Sequence, residues 1–260
     1  MAEILEINGP ILTVLLPEAV IGEQVRVGTM GLLGEVIGRD GHAATVQVYE
    51  VTDGLRPGEP IEALGHPLSV ELGPGLLGNI FDGVQRPLDA IERLSGDRIE
   101  RGLEIPALDR ARKWSFTPAP ERELGAEVSG GMALGTVPET ATIAHRILVP
   151  PGVAGRLVDL APAGEYTVEE TLARVEDAHG TVHKLQLFHR WPVRVPRPHR
   201  HRDPATEPLL TGQRILDTFF PMLKGGKGAI PGPFGAGKTV LQHQIARWSN
   251  AQIVIYVGCG

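Results

Sequence analysis

The chain is poor in cysteine, aromatic side chains and long apolar runs, and it carries no surplus of positive charge. Cys259 is the single cysteine among 260 residues, which excludes an internal disulfide framework and fits a reducing compartment. The formal charge of −6 and the 5% aromatic content argue against nucleic acid, because phosphate neutralisation needs a basic face and base stacking needs aromatic rings. The most apolar stretches, Ile11–Leu16 and Ile253–Val257, are far shorter than the roughly 20 residues of a membrane-spanning helix. Met1 to Ile11 has no basic segment ahead of a long apolar run, so it does not read as a signal peptide. These absences leave a soluble chain, free to dock onto a membrane complex.

One basic run exists, Arg194 to Arg202, with Arg197, His199, Arg200 and His201 inside it. Prolines interrupt it and no aromatic residues interleave it, so it reads as a solvated linker. The His199/His201 pair has no third ligand nearby, a weak basis for a metal site. Glu169, Glu170 and Asp82 are carboxylates without a partner at useful spacing. Trp114, His189 and Trp191 read as packing or rim residues.

Glycine (33) and proline (22) are plentiful, but they are spread through patterned apolar sequence, which points to turns between short strands. The first seventy residues predict strands at Ile4–Ile7, Ile11–Leu16, Gln24–Val27, Leu32–Ile37 and Thr45–Tyr49, with a hairpin turn at Asp40-Gly41. That spacing suggests a small closed β-barrel or sandwich. Leu88, Ile91 and Leu94 recur at helical spacing. A second β-rich segment follows from Leu103 to about Pro192, with runs at Ile147–Val149, Gly155–Val158 and Lys184–Phe188. Beyond the linker, Thr211–Phe220 reads as a helix, with Ile215, Leu216 and Phe219 at helical spacing.

The chemistry lies near the far end. Gly232-Pro233-Phe234-Gly235-Ala236-Gly237-Lys238-Thr239 matches the phosphate-loop pattern G-x-x-x-x-G-K-[ST]. Chance produces such a match in about one chain in a hundred of this length, so context decides. Lys238 to Asn250 reads as a helix, and Gln252–Val257 as a buried parallel strand. Loop, helix and strand stand in the order a βαβ nucleotide site requires. The strand expected upstream, around Gly228–Ile230, is short and Gly-rich. Gly235 and Gly237 let the backbone close around phosphate oxygens. Lys238 would reach the β- and γ-phosphates, the Thr239 hydroxyl would ligate Mg²⁺, and the Thr239 and Val240 amides would face the α/β-phosphates.

Around this loop the sequence resembles the catalytic A subunit of V/A-type rotary ATPases. The resemblance runs through Ile230 to Val240, Leu210 to Asp217, Trp248-Ser249-Asn250 and Tyr256 to Gly260, and backwards over nearly the whole chain. Gly34 to Ile37 and Val46 to Glu50 look like that family's N-terminal β-barrel. Glu71 to Leu77 and Asp82 to Leu88 look like the segment after it. Lys113 to Pro118, Gly135 to Glu139 and Pro162 to Val168 resemble the bulge that A subunits have and F-type catalytic subunits lack.

The resemblance implies a multidomain fold: a β-barrel at 1–70, a connecting segment of the nucleotide-binding domain at 71–110, a β-rich inserted bulge at 111–192, and from 193 to 260 the start of a RecA-like α/β P-loop domain. It implies ATP or ADP with Mg²⁺ at residues 232–240, with Lys238 as the catalytic residue and Thr239 on the metal. The partners it implies are B subunits interleaved with A subunits in a hexamer, an arginine from B at the shared nucleotide site, and central and peripheral stalk subunits. The place would be the cytoplasmic face of a membrane, reached through the complex. Ala236 stands where relatives often have Ser or Cys. The general-base glutamate and the Walker B aspartate are expected beyond Gly260, and the 260 residues alone are expected to be inactive. Two other readings are a secretion, flagellar or RNA-translocating hexameric ATPase, which the bulge segment disfavours, and a non-catalytic assembly module.

Overall fold

The computed structural model describes residues 2–96, 98–199 and 201–259. Arg200 of the basic run and Gly260 lie outside the described residues. The chain forms two compact units, Met1–Arg197 and Pro198–Gly260.

The first unit begins with a six-stranded antiparallel sheet. Its strands are β1 (Glu3–Asn8), β2 (Ile11–Leu15), β3 (Glu23–Val27), β4 (Leu32–Asp40), β5 (Ala43–Val48) and β6 (Ile61–Pro67), in the order β1-β2-β5-β4-β3-β6. Burial alternates strictly along β2, β3 and β5, as the period-two side-chain pattern dictates. The inward set, with Leu12, Val14, Val25, Val27, Val46 and Val48, forms one apolar core. The β4–β5 hairpin turns at Gly41, whose φ of 59° suits glycine.

The closed barrel expected from the strand spacing is not formed: the strand ladder does not close on itself. Its two edges meet through single bonds from β1 to the residues before and at the start of β6: Ile4 N–H to Glu59 O, Gly58 N–H to Ile4 O, and Ile61 N–H to Ala2 O. The sheet is therefore curled, with a seam that a few backbone bonds stitch shut.

Strand β7 (Ser69–Leu72) follows at once, then α1 (Leu88–Ser95), whose Ile91 is buried. Asp82 and Glu50 both hold Arg86, at 2.7 and 3.1 Å. Glu50 also accepts the Gly102 N–H at 2.8 Å, so the end of β5 is tied to the chain on both sides of α1.

Next come β8 (Trp114–Pro118), β9 (Glu127–Ser129), β10 (Ala133–Pro138), β11 (Ala144–Leu148), β12 (Ala154–Leu160), β13 (Gly164–Tyr166), β14 (Ala173–Glu176) and β15 (Val182–Leu185). They make two four-stranded sheets, β11-β10-β8-β13 and β15-β14-β12-β9. Trp114, Phe116, Val137 and Ile147 fill one core, while Leu134, Leu157, Val175 and Leu185 fill a second. Leu160 packs against both. Strand β16 (His189–Pro192) then pairs antiparallel with β7, Leu72 opposite His189. The 73–188 excursion is thus clasped at its base by its own two ends.

Several side chains expected to be solvated are bound. Arg194, inside the supposed linker, holds the buried Glu35 carboxylate. Arg197 donates to His189 Nε2 at 2.7 Å and lies over the Trp191 ring. Asp82 pairs with Arg86, Glu169 with Arg110 at 2.9 Å, and Glu170 accepts the Thr167 N–H at 2.6 Å. Glu35 and Arg110 reach their partners only through chain folding, whereas Asp82 and Glu170 bind residues four and three positions away.

The second unit holds β17 (Pro208–Leu209) paired with β18 (Met222–Leu223), and the helices α2 (Arg214–Phe219) and α3 (Lys238–Trp248). The strands expected at 228–230 and 252–257 do not form. Ile253 to Val257 are exposed and unpaired among the described residues. An apolar run becomes a parallel strand only when a neighbouring backbone accepts and donates its ladder bonds, and no described segment of this unit does so.

Candidate functional site

Helix α3 starts immediately after the glycine-rich loop. Gly237 is its N-cap in the left-handed region at φ 81°, and Gly235 is also left-handed at φ 78°. A side chain at either position would be strained. The first bond of the helix runs from Leu241 N–H to Gly237 O at 2.9 Å. The amides of Lys238, Thr239 and Val240 therefore precede any carbonyl they could reach within the helix. Gly237 has no side chain to cap them, and the first turn carries no acidic residue. Free amides and the positive end of the helix dipole thus face one way, a ready site for an anion.

Gly232, Pro233, Phe234, Gly235, Ala236 and Gly237 are all exposed, as are Thr239 and Val240. Lys238 is half-buried because its chain folds back on the loop. Its ammonium donates to the carbonyls of Gly232 and Pro233, the latter at 3.0 Å. Ala236 N–H reaches Pro233 O at 3.4 Å, a loose turn. The loop residues singled out in the sequence are thus brought to one place. They supply backbone donors, one mobile cation and one hydroxyl, the donor set that a phosphate chain and its Mg²⁺ require.

Sequence reasoning did not identify the residues that brace the turn before α2. Thr211 is 2% exposed, and its N–H and hydroxyl donate to Asp217 Oδ1 at 2.9 and 2.7 Å. Those bonds, with the Gly212 N–H, keep the Asp217 carboxyl below its ordinary range. A threonine before a glycine, six residues ahead of an aspartate, is a turn signal, and it could have been found as one.

Three family models cover successive parts of the chain. Residues 4–65 match the beta-barrel domain of the ATP synthase alpha/beta family. Residues 105–194 match the barrel-sandwich domain of the ATP synthase alpha/beta subunit, and residues 212–260 the family's nucleotide-binding domain. The chain belongs to the ATP synthase alpha/beta family.

Its curated relatives within the family agree. It is 62% identical, over its whole length, to the V-type ATP synthase alpha chain of Nitrosococcus oceani, of which it covers 44%. It is 55% identical to the A subunit of the A-type ATP synthase of Thermococcus sp. strain KI, again over all of this chain and 44% of the relative. The chain therefore spans less than half the length of the curated relatives it matches. Among solved structures, the assembled ATPase EscN of the enteropathogenic E. coli type III secretion system superposes with a TM-score of 0.51 at 18% identity, covering 97% of this chain and 40% of that one. That likeness speaks for the fold. This ATP synthase family member thus combines a barrel domain, a barrel-sandwich extension and part of a nucleotide-binding domain.

Proposed function

We propose that the chain is the N-terminal part of the catalytic A subunit, or alpha chain, of a V/A-type rotary ATPase or ATP synthase, which couples ATP hydrolysis or synthesis to movement of protons or sodium ions. The observation that carries the reading is the glycine-capped start of α3. Three amides without a partner among the described residues, Lys238 and Thr239 converge there, and the first turn carries no carboxylate. Identity of 62% to a V-type ATP synthase alpha chain over the whole length supports it.

In this reading residues 232–240 bind MgATP. The amides of Gly235, Gly237, Lys238, Thr239 and Val240 take phosphate oxygens, and Lys238 leaves the loop carbonyls for the β- and γ-phosphates, where charge develops during transfer. Thr239 supplies a hydroxyl to Mg²⁺, which neutralises phosphate charge when bound. Pro233, Phe234 and Ala236 shape the loop without offering a charge, and Gly232 keeps room for the Ala236 turn: a Cβ there would sit 3.2 Å from Ala236 Cβ.

The domain division at 1–70, 71–110, 111–192 and 193–260 belongs to the same reading. So do the alternating hexamer with B subunits, the stalk partners and a place at the cytoplasmic face of the membrane. In the complete protein, assembled with its partners, Lys238→Ala should lower MgATP turnover by orders of magnitude while the protein still folds, since the side chain bonds only to exposed loop carbonyls. Turnover within about tenfold of wild type would remove the assignment.

A further inference from the structure

Lys238 and Thr239 stand on the first turn of α3, so the direction of that helix decides where they point. No α3 side chain is fully buried. Leu241, Ile245 and Ala246 are half-buried, and the hydrogen-bonded anchor of the helix is at its other end. Asn250, just past the helix, makes a two-point pair with Leu210, 40 positions away: Leu210 N–H donates to Asn250 Oδ1 at 3.1 Å, and Asn250 N–H donates to Leu210 O at 3.0 Å. The next two residues are held as well. Thr211 is locked to Asp217 of α2, and Gly212, at φ 75°, lies so close to the helix that a Cβ would meet Trp248 Cβ at 2.7 Å. The end of α3 therefore rests on a turn that α2 keeps rigid.

The lever is long. Eleven residues span roughly 16 Å, so a tilt of about 5° at the anchored end would move the loop by about 1.4 Å. A misplacement of about 1 Å can cost on the order of a hundredfold in rate.

We infer that Asn250 is a positioning residue for the phosphate loop, acting through α3 from the end opposite the phosphates; this rests on the nucleotide-binding reading above. Its side chain contributes a single acceptor, Oδ1. Aspartate offers an oxygen at the same place. Leucine fills similar space but leaves the Leu210 N–H without its partner, and alanine removes both shape and acceptor.

The test uses the complete protein in its assembly, with kcat and KM for MgATP and the Kd of a fluorescent ADP analogue measured together. Asn250→Ala and Asn250→Leu are expected to lower kcat/KM roughly three- to tenfold and to weaken ADP binding, and Asn250→Asp to stay within about twofold of wild type. Nucleotide-free melting temperatures should separate the leucine and aspartate variants far less than kcat/KM does. Wild-type kcat/KM in the alanine and leucine variants would overturn the inference, as would an aspartate variant as impaired as the leucine one. Lys238→Ala run alongside keeps the two claims apart. If it turns over normally the nucleotide reading fails, whereas loss of activity there with normal Asn250→Leu removes only the positioning role.

Discussion

Arg194 and Glu35 lie 159 positions apart and meet in a bidentate pair, Nε to Oε1 at 2.5 Å and Nη2 to Oε2 at 2.7 Å. Glu35 is on β4 and is 1% exposed, whereas the Arg194 side chain is largely in solvent. The Tyr49 hydroxyl donates to the same carboxylate. The pair fastens the chain leaving β16 to the curled six-stranded sheet. Arg194 holds the Glu35 carboxyl below its ordinary range, against the opposing effect of burial.

The two ends of this pair should not be equivalent. Arg194→Ala leaves a buried carboxylate with only Tyr49 to satisfy it, a loss on the order of 1–3 kcal/mol. Glu35→Gln leaves an amide that still accepts through its oxygen, and an arginine that water can solvate. Urea midpoints should therefore fall further for Arg194→Ala, and the reverse order would contradict the geometry. Because the folded carboxyl titrates low, the pair's contribution is complete above about pH 4.3 and is lost as pH falls through the folded value. Arg194→Ala should flatten that acid limb.

His189 carries a different pH signature. Burial first, then Arg197 and His145, lower its pKa to about 4, and Arg197 donates to its bare Nε2. Between the ordinary value near 6.5 and the folded value, the unfolded chain takes a proton that the folded chain refuses. Stability should thus decline as pH drops from about 6.5 toward 4, by on the order of 2–3 kcal/mol. In His189→Gln that slope should vanish. A slope unchanged from wild type would show that another group titrates.

Gly135→Ala should destabilise the bulge by roughly 3 kcal/mol. An added Cβ would lie 2.3 Å from Phe116 Cε2 and 2.4 Å from Thr117 O. The carbonyl belongs to the paired strand β8, where Thr117 faces Thr136, so it cannot swing aside as a flexible side chain would. Chemical denaturation of the variant is the measurement, and a loss under about 0.5 kcal/mol would mean that the sheet yields.

A polypeptide of these 260 residues should not release phosphate from MgATP above the background of its own Lys238→Ala variant. The phosphate loop supplies charge and amides, but rapid phosphoryl transfer also needs a group to orient water and an arginine worth roughly 10³–10⁵ in rate. Steady-state phosphate release is the measurement, and activity clearly above background without added partners would show that the site is complete in this chain.

Strands β1 to β5, the helix at Leu88 and the start of α3 were legible because each rests on a local rule. Inward side chains alternate along β2, β3 and β5, Ile91 is buried between turns of a helix, and Gly235-Ala236-Gly237-Lys238-Thr239 requires a left-handed loop before a helix. Gln252–Val257 shows the limit of that reasoning. Its apolar run says what the segment would do given a neighbour, and no described residue is one.

The sequence by itself determined the local periods, the turn positions and the donor set of the phosphate loop, since glycine, lysine and threonine act through their own backbone and side-chain chemistry. Only the tertiary structure decided which charges are buried and which distant pairs hold the molecule. Leu72 opposite His189 in the β7–β16 clasp, Arg194 on Glu35 and Asn250 on Leu210 join residues 117, 159 and 40 positions apart. Such contacts depend on how the whole backbone returns on itself, and a lone arginine or asparagine carries no local mark of the partner it will meet.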